Sequence, residues 1–92
     1  IQSFLEQFLT MYQEGNLDQL RYLMAIPEGL NNQYEIYLDR FDAYGTLEKP
    51  VLEVFLLLRQ KDTSISYKQQ MHLELETRDG KYFVETLNQV IN

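Results

Sequence analysis

The sequence predicts an α+β fold, with two N-terminal helices packed on a curved antiparallel sheet of about four strands that forms a cone. Three observations carry this reading. Helical spacing of apolar residues runs from Phe4 to Met24 and breaks only at Gly15-Asn16. Strand patterning fills the second half of the chain. Asp79-Gly80, followed by Lys81-Tyr82-Phe83-Val84, marks a tight hairpin near the end.

Ile1, Phe4, Leu5, Phe8, Leu9 and Tyr12 recur at three- and four-residue steps, so they share one side of a first helix. Gln2, Glu6, Gln13 and Glu14 fall mainly on the other side. Gly15 is suited to a left-handed cap. Asn16 can cap the next helix, with Gln19 at its third position. Leu17, Leu20, Leu23 and Met24 form a second stripe, which Pro27 and Gly29 end. The short joint predicts an angled helix pair whose apolar face needs a cover from the rest of the chain.

Residues 30–45 fit two patterns. Tyr34, Ile36 and Leu38 alternate as in a strand, whereas Tyr34, Tyr37, Leu38 and Phe41 fit a helix. The richness in Tyr, Ile and Phe favours a strand over 35–44. Val51 to Gln60 follows Pro50 and is apolar on both faces in its middle, which predicts a central strand covered on both sides. Lys61 to Ser64 makes a polar turn. From Ile65 to Thr77 the chain alternates, with Tyr67, Met71, Leu73 and Leu75 facing one way and Lys68, Gln70, His72, Glu74 and Glu76 the other. Lys81 to Leu87 returns as the last strand, with Tyr82 and Val84 on one face and Phe83 and Leu87 on the other. Gln89 to Asn92 reads as a fraying tail.

Ninety-two residues make one domain, residues 1–92, only marginally able to support itself on a single core. The absence of Cys excludes disulfides and thiolate ligands. The one histidine, His72, has no cluster of metal-ligating residues around it in sequence. A net charge of -6, with every Lys and Arg isolated, argues against non-specific binding to DNA or RNA. The longest apolar run, Val54 to Leu58, is far too short to span a bilayer. The chain starts at Ile1 inside an amphipathic pattern and has no signal peptide, which reads as a domain cut from a longer protein.

Candidate chemistry is sparse. Glu74 and Glu76 lie about 7 Å apart on one strand face, beside Lys68, Gln70 and His72, and read as solvated. Asp39 and Asp42 flank the Phe41 segment, with Tyr34, Tyr37 and Tyr44 near. A carboxylate in an aromatic hollow has a raised pKa, so Asp39, Asp42 and Tyr44 are the pocket candidates. The competing reading is an edge strand with polar rim residues. His72, between outward-pointing Gln70 and Glu74, reads as a cross-strand partner of an acid. The four isolated glycines make no phosphate loop. The seven Tyr and five Phe read mostly as core and sheet-face residues, with some serving an interface because Tyr tolerates partial burial. Tyr22 and Tyr37 are the expected exposed interface residues, and self-association through the sheet edge or outer face is the expectation.

The stretch from Phe8-Leu9-Thr10-Met11-Tyr12 through Gly15-Asn16-Leu17 to Leu23 resembles the opening of NTF2-like domains. The run from Val51 to Gly80-Lys81-Tyr82-Phe83-Val84 resembles the strands that close them. More narrowly, the chain is similar to the extracytoplasmic domains of TcpC-like conjugal transfer proteins of Gram-positive mobile elements. Those are counterparts of the bitopic assembly factors of type IV secretion systems. The resemblance covers most of the chain and is weakest over 29–49.

What the resemblance implies is a non-enzymatic scaffold of a DNA-transfer channel, without cofactor or catalytic residue. It also implies a parent with an N-terminal membrane anchor, often two such domains in tandem, and a place at the outer face of the membrane near the cell wall. The implied partners are copies of itself and other channel proteins. The alternative is an NTF2-like enzyme of isomerase or dehydratase type, or a small-ligand binder, with Asp39 or Asp42 facing the hollow of the cone. A regulatory or accessory domain of a larger cytoplasmic protein is a third reading that composition allows.

Overall fold

A computed structural model describes residues 1–90. Helix α1 spans Gln2–Glu14, and α2 is a single turn, Leu17–Leu20. Four strands follow: β1 (Tyr34–Gly45), β2 (Pro50–Gln60), β3 (Ser66–Arg78) and β4 (Lys81–Val90). They pair in sequence order, β1-β2-β3-β4, each antiparallel to its neighbour. The predicted α+β class is observed.

The apolar stripe of α1 explains its burial. Leu5, Phe8, Leu9 and Tyr12 are buried against the sheet, where they join Leu52, Val54 and Leu56 of β2, Met71, Leu73 and Leu75 of β3, and Val84 of β4. Each such side chain contributes about 1.5–3 kcal/mol by leaving water. Gly15 ends α1 at φ 69°, donating its N–H to the carbonyls of Met11 and Tyr12. A Cβ at this position would lie 1.9 Å from the Leu30 carbonyl oxygen, so both the backbone angle and the crossing chain require glycine. The crossing segment then adds hydrogen bonds to carbonyls of the helix end: Leu30 N–H bonds Tyr12 O at 2.8 Å, and Asn32 N–H bonds Gln13 O at 3.1 Å.

The predicted cap at Asn16 forms, its Oδ1 accepting from Gln19 N–H at 3.3 Å. The second helix is shorter than the stripe Leu17, Leu20, Leu23 and Met24 suggested. Leu20 and Met24 are buried, but Leu17 is exposed. The chain leaves helical geometry because it makes a bridge to the sheet instead. Val84 N–H donates to Leu23 O at 2.6 Å, and Ala25 N–H donates to Val84 O at 2.8 Å. Pro27 lies just beyond and cannot donate to a continuing helix.

Two bulges set which side chains face the helices. The register of β1 on β2 shifts between Leu38 and Arg40, leaving Asp39 as the extra residue. The register of β4 on β3 shifts between Glu74 and Leu75, leaving Glu85 unpaired. A bulge reverses the alternation beyond it. Leu87 therefore pairs with Leu73 and packs against the core, on the face of Tyr82 and Val84 rather than that of Phe83. Asp79 and Gly80 both have positive φ, 51° and 77°, as the predicted hairpin turn requires. Strand β4 continues through Gln89 to Val90, so the fraying expected from Gln89 does not begin there, and Ile91 and Asn92 lie outside the described residues.

The sheet does not close into a cone. It is open, with β1 and β4 at opposite edges. Four strands are too few to enclose an interior, which takes about eight. The predicted double cover of β2 also fails. β2 is central, but its buried residues, Pro50, Leu52, Val54 and Leu56, are on the helix side, while Leu57 on the other face is exposed. One 13-residue helix and one further turn supply a single layer on a single side.

Candidate functional site

The two sides of the sheet offer different sites. On the helix side, a cavity of about 310 Å³ opens where α1 ends. Tyr12, Leu30, Ile36, Leu56, Leu58 and Met71 line it, with Gln69 and Gln89 at its rim. Gln69 Nε2 donates to Gln89 Oε1 at 2.7 Å, and Gln89 Nε2 donates to Tyr12 OH at 3.0 Å. Burial among these groups raises the Tyr12 pKa, with the nearby charge of Glu28 adding to it. The lining holds no carboxylate and no histidine, so nothing in it can move a proton near neutral pH.

The opposite side is bare. Its side chains fall in rows across the strands. Tyr37, Leu57 and Lys68 make one row, Arg40, Phe55 and Gln70 the next, then Asp42, Glu53 and His72, then Tyr44, Val51 and Glu74. Arg40 sits over the Phe55 ring, its Cζ 3.8 Å from the centroid, and ion-pairs with Asp42 at 3.0 Å. Arg78 covers Phe83 in the same way at 3.9 Å and reaches Glu76 at 3.1 Å. A shallow cleft of about 600 Å³ runs beside the β1 bulge, between Tyr37, Asp39, Phe55 and Lys68.

Glu53 is the hub of this face. His72 Nδ1 lies 2.5 Å from Glu53 Oε1, and Tyr44 OH donates to the same oxygen at 2.9 Å. Gln70 Nε2 donates to Glu53 Oε2 at 3.2 Å. The His72 contact holds the Glu53 carboxyl below its ordinary range against the opposing effect of desolvation. In return Glu53, aided by Glu74, raises the His72 pKa. Tyr44 is raised by the Glu53 carboxylate, and Tyr37 by its hydrogen bond to Glu35. The pair thus favours an ionised Glu53 and a protonated His72. That is an ion pair ordering a surface, the cross-strand partnership expected of His72.

The sequence candidates separate between surfaces. Tyr37 and Tyr44 both stand on the open face, about half exposed at 47% and 53%. Tyr22, 70% exposed, follows α2 with Arg21 over its ring. The two expected interface tyrosines, Tyr22 and Tyr37, therefore belong to different surfaces. Asp39 and Asp42 are exposed and neither lines the helix-side cavity, but Asp39 lines the open-face cleft beside Tyr37 and Phe55. Sequence reasoning missed Glu53, Phe55 and Arg40. The period-two pattern of β2 put Glu53 and Phe55 on one face, but that face was expected to be covered.

Among the described residues there is no group of three or more His, Asp or Glu placed to hold a metal ion. No described helix is long and apolar enough to cross a membrane. Comparison with protein families gives one decisive match. The family model described as conjugative transposon protein TcpC matches residues 1–85. The chain belongs to the TcpC family. No curated protein and no solved structure matches it significantly. Membership in the TcpC family accords with the residue-level reading of a domain built for contact and supports a structural, non-enzymatic role.

Proposed function

We propose that this TcpC-family domain is a non-enzymatic assembly element of a conjugative type IV secretion channel. It acts through protein–protein contacts with copies of itself and with other channel proteins. The observation that carries the reading is the open sheet face: Tyr37, Tyr44 and Leu57 are exposed there beside Arg40, Glu53 and Lys68 on a rigid four-stranded support. Aromatic and Arg side chains are the ones that dominate protein contacts. On this reading the domain is one NTF2-like unit of a longer protein. An N-terminal anchor holds that protein at the extracytoplasmic side of a Gram-positive membrane, toward the cell wall. Direct binding to nucleic acid is not expected of a chain with net charge -6.

The competing reading, an NTF2-like ligand-binding or isomerase-type domain, draws little from the geometry. Asp42 is exposed, Asp39 lines the open-face cleft but is itself exposed there, and the apolar helix-side cavity has no acid in its lining. Deleting the domain from its parent and scoring transfer of the mobile element tests the proposal. Transfer should fall by orders of magnitude while the truncated parent still accumulates. Normal transfer would overturn the assembly role.

A further inference from the structure

The open face carries its charge in two blocks. At the end where β2 finishes and β3 begins, Arg40, Arg59 and Lys68 stand against two acids, Glu35 and the bulge residue Asp39. Toward the other end, Asp42, Glu53 and Glu74 occupy successive rows, followed by Glu76 with Glu85 beside it. These five acids outnumber the cations among them, His72 beside Glu53 and Arg78 and Lys49 near Glu76 and Glu85, and Lys81 closes the far tip. The boundary between blocks falls between the Arg40-Phe55-Gln70 row and the Asp42-Glu53-His72 row, near the middle of the face.

A surface with opposite charge on its two halves is complementary to itself when turned end for end. We propose that the face pairs with the same face of a second copy, about a two-fold axis that lies between the sheets and runs across the strands. This rests on the assembly reading above and names its partner and surface. A two-fold axis along the strands would instead stack basic end on basic end. The axis across them sets Arg40 opposite Asp42 of the other copy and Lys68 opposite Glu74. It also sets Leu57 opposite Val51 and Tyr37 opposite Tyr44, so apolar and aromatic groups meet between the charged ones. Each contact occurs twice, as two-fold symmetry demands. Packed sheets lie about 10 Å apart with strands about 30° from alignment, so these pairings hold best near the centre.

The size of the face sets the strength. Four strands about 4.8 Å apart, paired over about nine residues of 3.4 Å each, cover on the order of 600 Å² per copy. Stable complexes bury about 800 Å² per partner, so a dissociation constant in the micromolar range is expected for the isolated chain. Matching charge contributes orientation and selects against wrong partners.

The test is sedimentation equilibrium of the 92-residue chain at low salt, with K68E and E74K variants whose folding is checked by circular dichroism. Wild type should be a monomer–dimer mixture. Each single reversal should weaken dimerisation about tenfold or more by opposing like charges. An equimolar mixture of K68E and E74K should regain wild-type association as a heterodimer, because both Lys–Glu contacts are then restored. A strict monomer across the micromolar range would overturn the proposal. So would dimers indifferent to both reversals, or a mixture no better than its components. Loss of transfer on domain deletion, alongside a monomeric chain, would sink the face pairing and leave the assembly role standing.

Discussion

The two faces of the sheet come from the same four strands yet have opposite fates. The face toward α1 is a filled core in which Leu52, Val54, Met71, Leu73 and Leu75 are buried to 1% or less. The open face carries comparable apolar bulk in Val51, Phe55, Leu57 and Phe83 but interleaves it with Arg40, Glu53, Lys68 and Glu76. Arg40 and Arg78 sit over Phe55 and Phe83, which partly shields those rings while keeping charge in water. The difference teaches that hydrophobicity alone does not assign a face to the core. The covering layer does, and this chain has helix enough for one side only.

Substitutions on the two faces should separate stability from association. Leu73→Ala removes a fully buried side chain between β2 and β4 and should destabilise by about 2–5 kcal/mol, read from urea unfolding. Gly15→Ala combines a left-handed backbone with a clash against the Leu30 carbonyl and should cost at least about 1 kcal/mol. A wild-type urea midpoint for it would mean that the crossing of α1 by the Leu30 segment is looser than described. Asn16→Ala removes the cap on the Gln19 N–H and should cost about 1 kcal/mol.

Phe55→Ala, on the open face, should shift the unfolding midpoint by less than about 1 kcal/mol and still weaken self-association. A large loss of stability in the monomer would show that the open face is part of the folding core, and the contrast between faces would collapse.

The smallest effect is expected from pH. His72 has its pKa raised above the ordinary 6.5 by Glu53 and Glu74. Its contribution is therefore fully present below the unfolded value and is lost as pH rises through the folded one. Glu53 is depressed, so its contribution is present above its unfolded value and is lost as pH falls through the folded one. Between the two ranges the pair stabilises the fold, weakly, since it is near the surface. His72→Gln should flatten the decline of Tm as pH rises past the ordinary histidine value of 6.5. An unchanged profile would mean that the Glu53–His72 contact is not kept in solution.

Part of the candidate surface was legible before any coordinates. Alternation along β3 separated Lys68, Gln70, His72, Glu74 and Glu76 from Met71, Leu73 and Leu75, as found. Tyr37 was singled out as exposed by its type and context. What could not be read were the bulges at Asp39 and Glu85. Each inserts one residue, reverses the alternation and leaves no local signature. The Glu85 bulge turned Leu87 inward, and the Asp39 bulge placed Arg40 beside Phe55. Glu53 could be seen facing away from Leu52 and Val54, but not that His72, Tyr44 and Gln70 would converge on it, because that needs the register of three strands.

The sequence by itself determined the order of elements, the Gly15 stop with its Asn16 cap, the Asp79-Gly80 hairpin and the membership of α1 in the core. Those rest on spacing and on backbone angles open to few residues, which are local properties. Only the tertiary structure decided that the sheet stays open, that β2 is covered on one side and that positive and negative charge occupy opposite ends of the bare face. Cover and charge layout depend on strand register and on how much helix is left to form a layer, and neither is stored in any one segment of the chain.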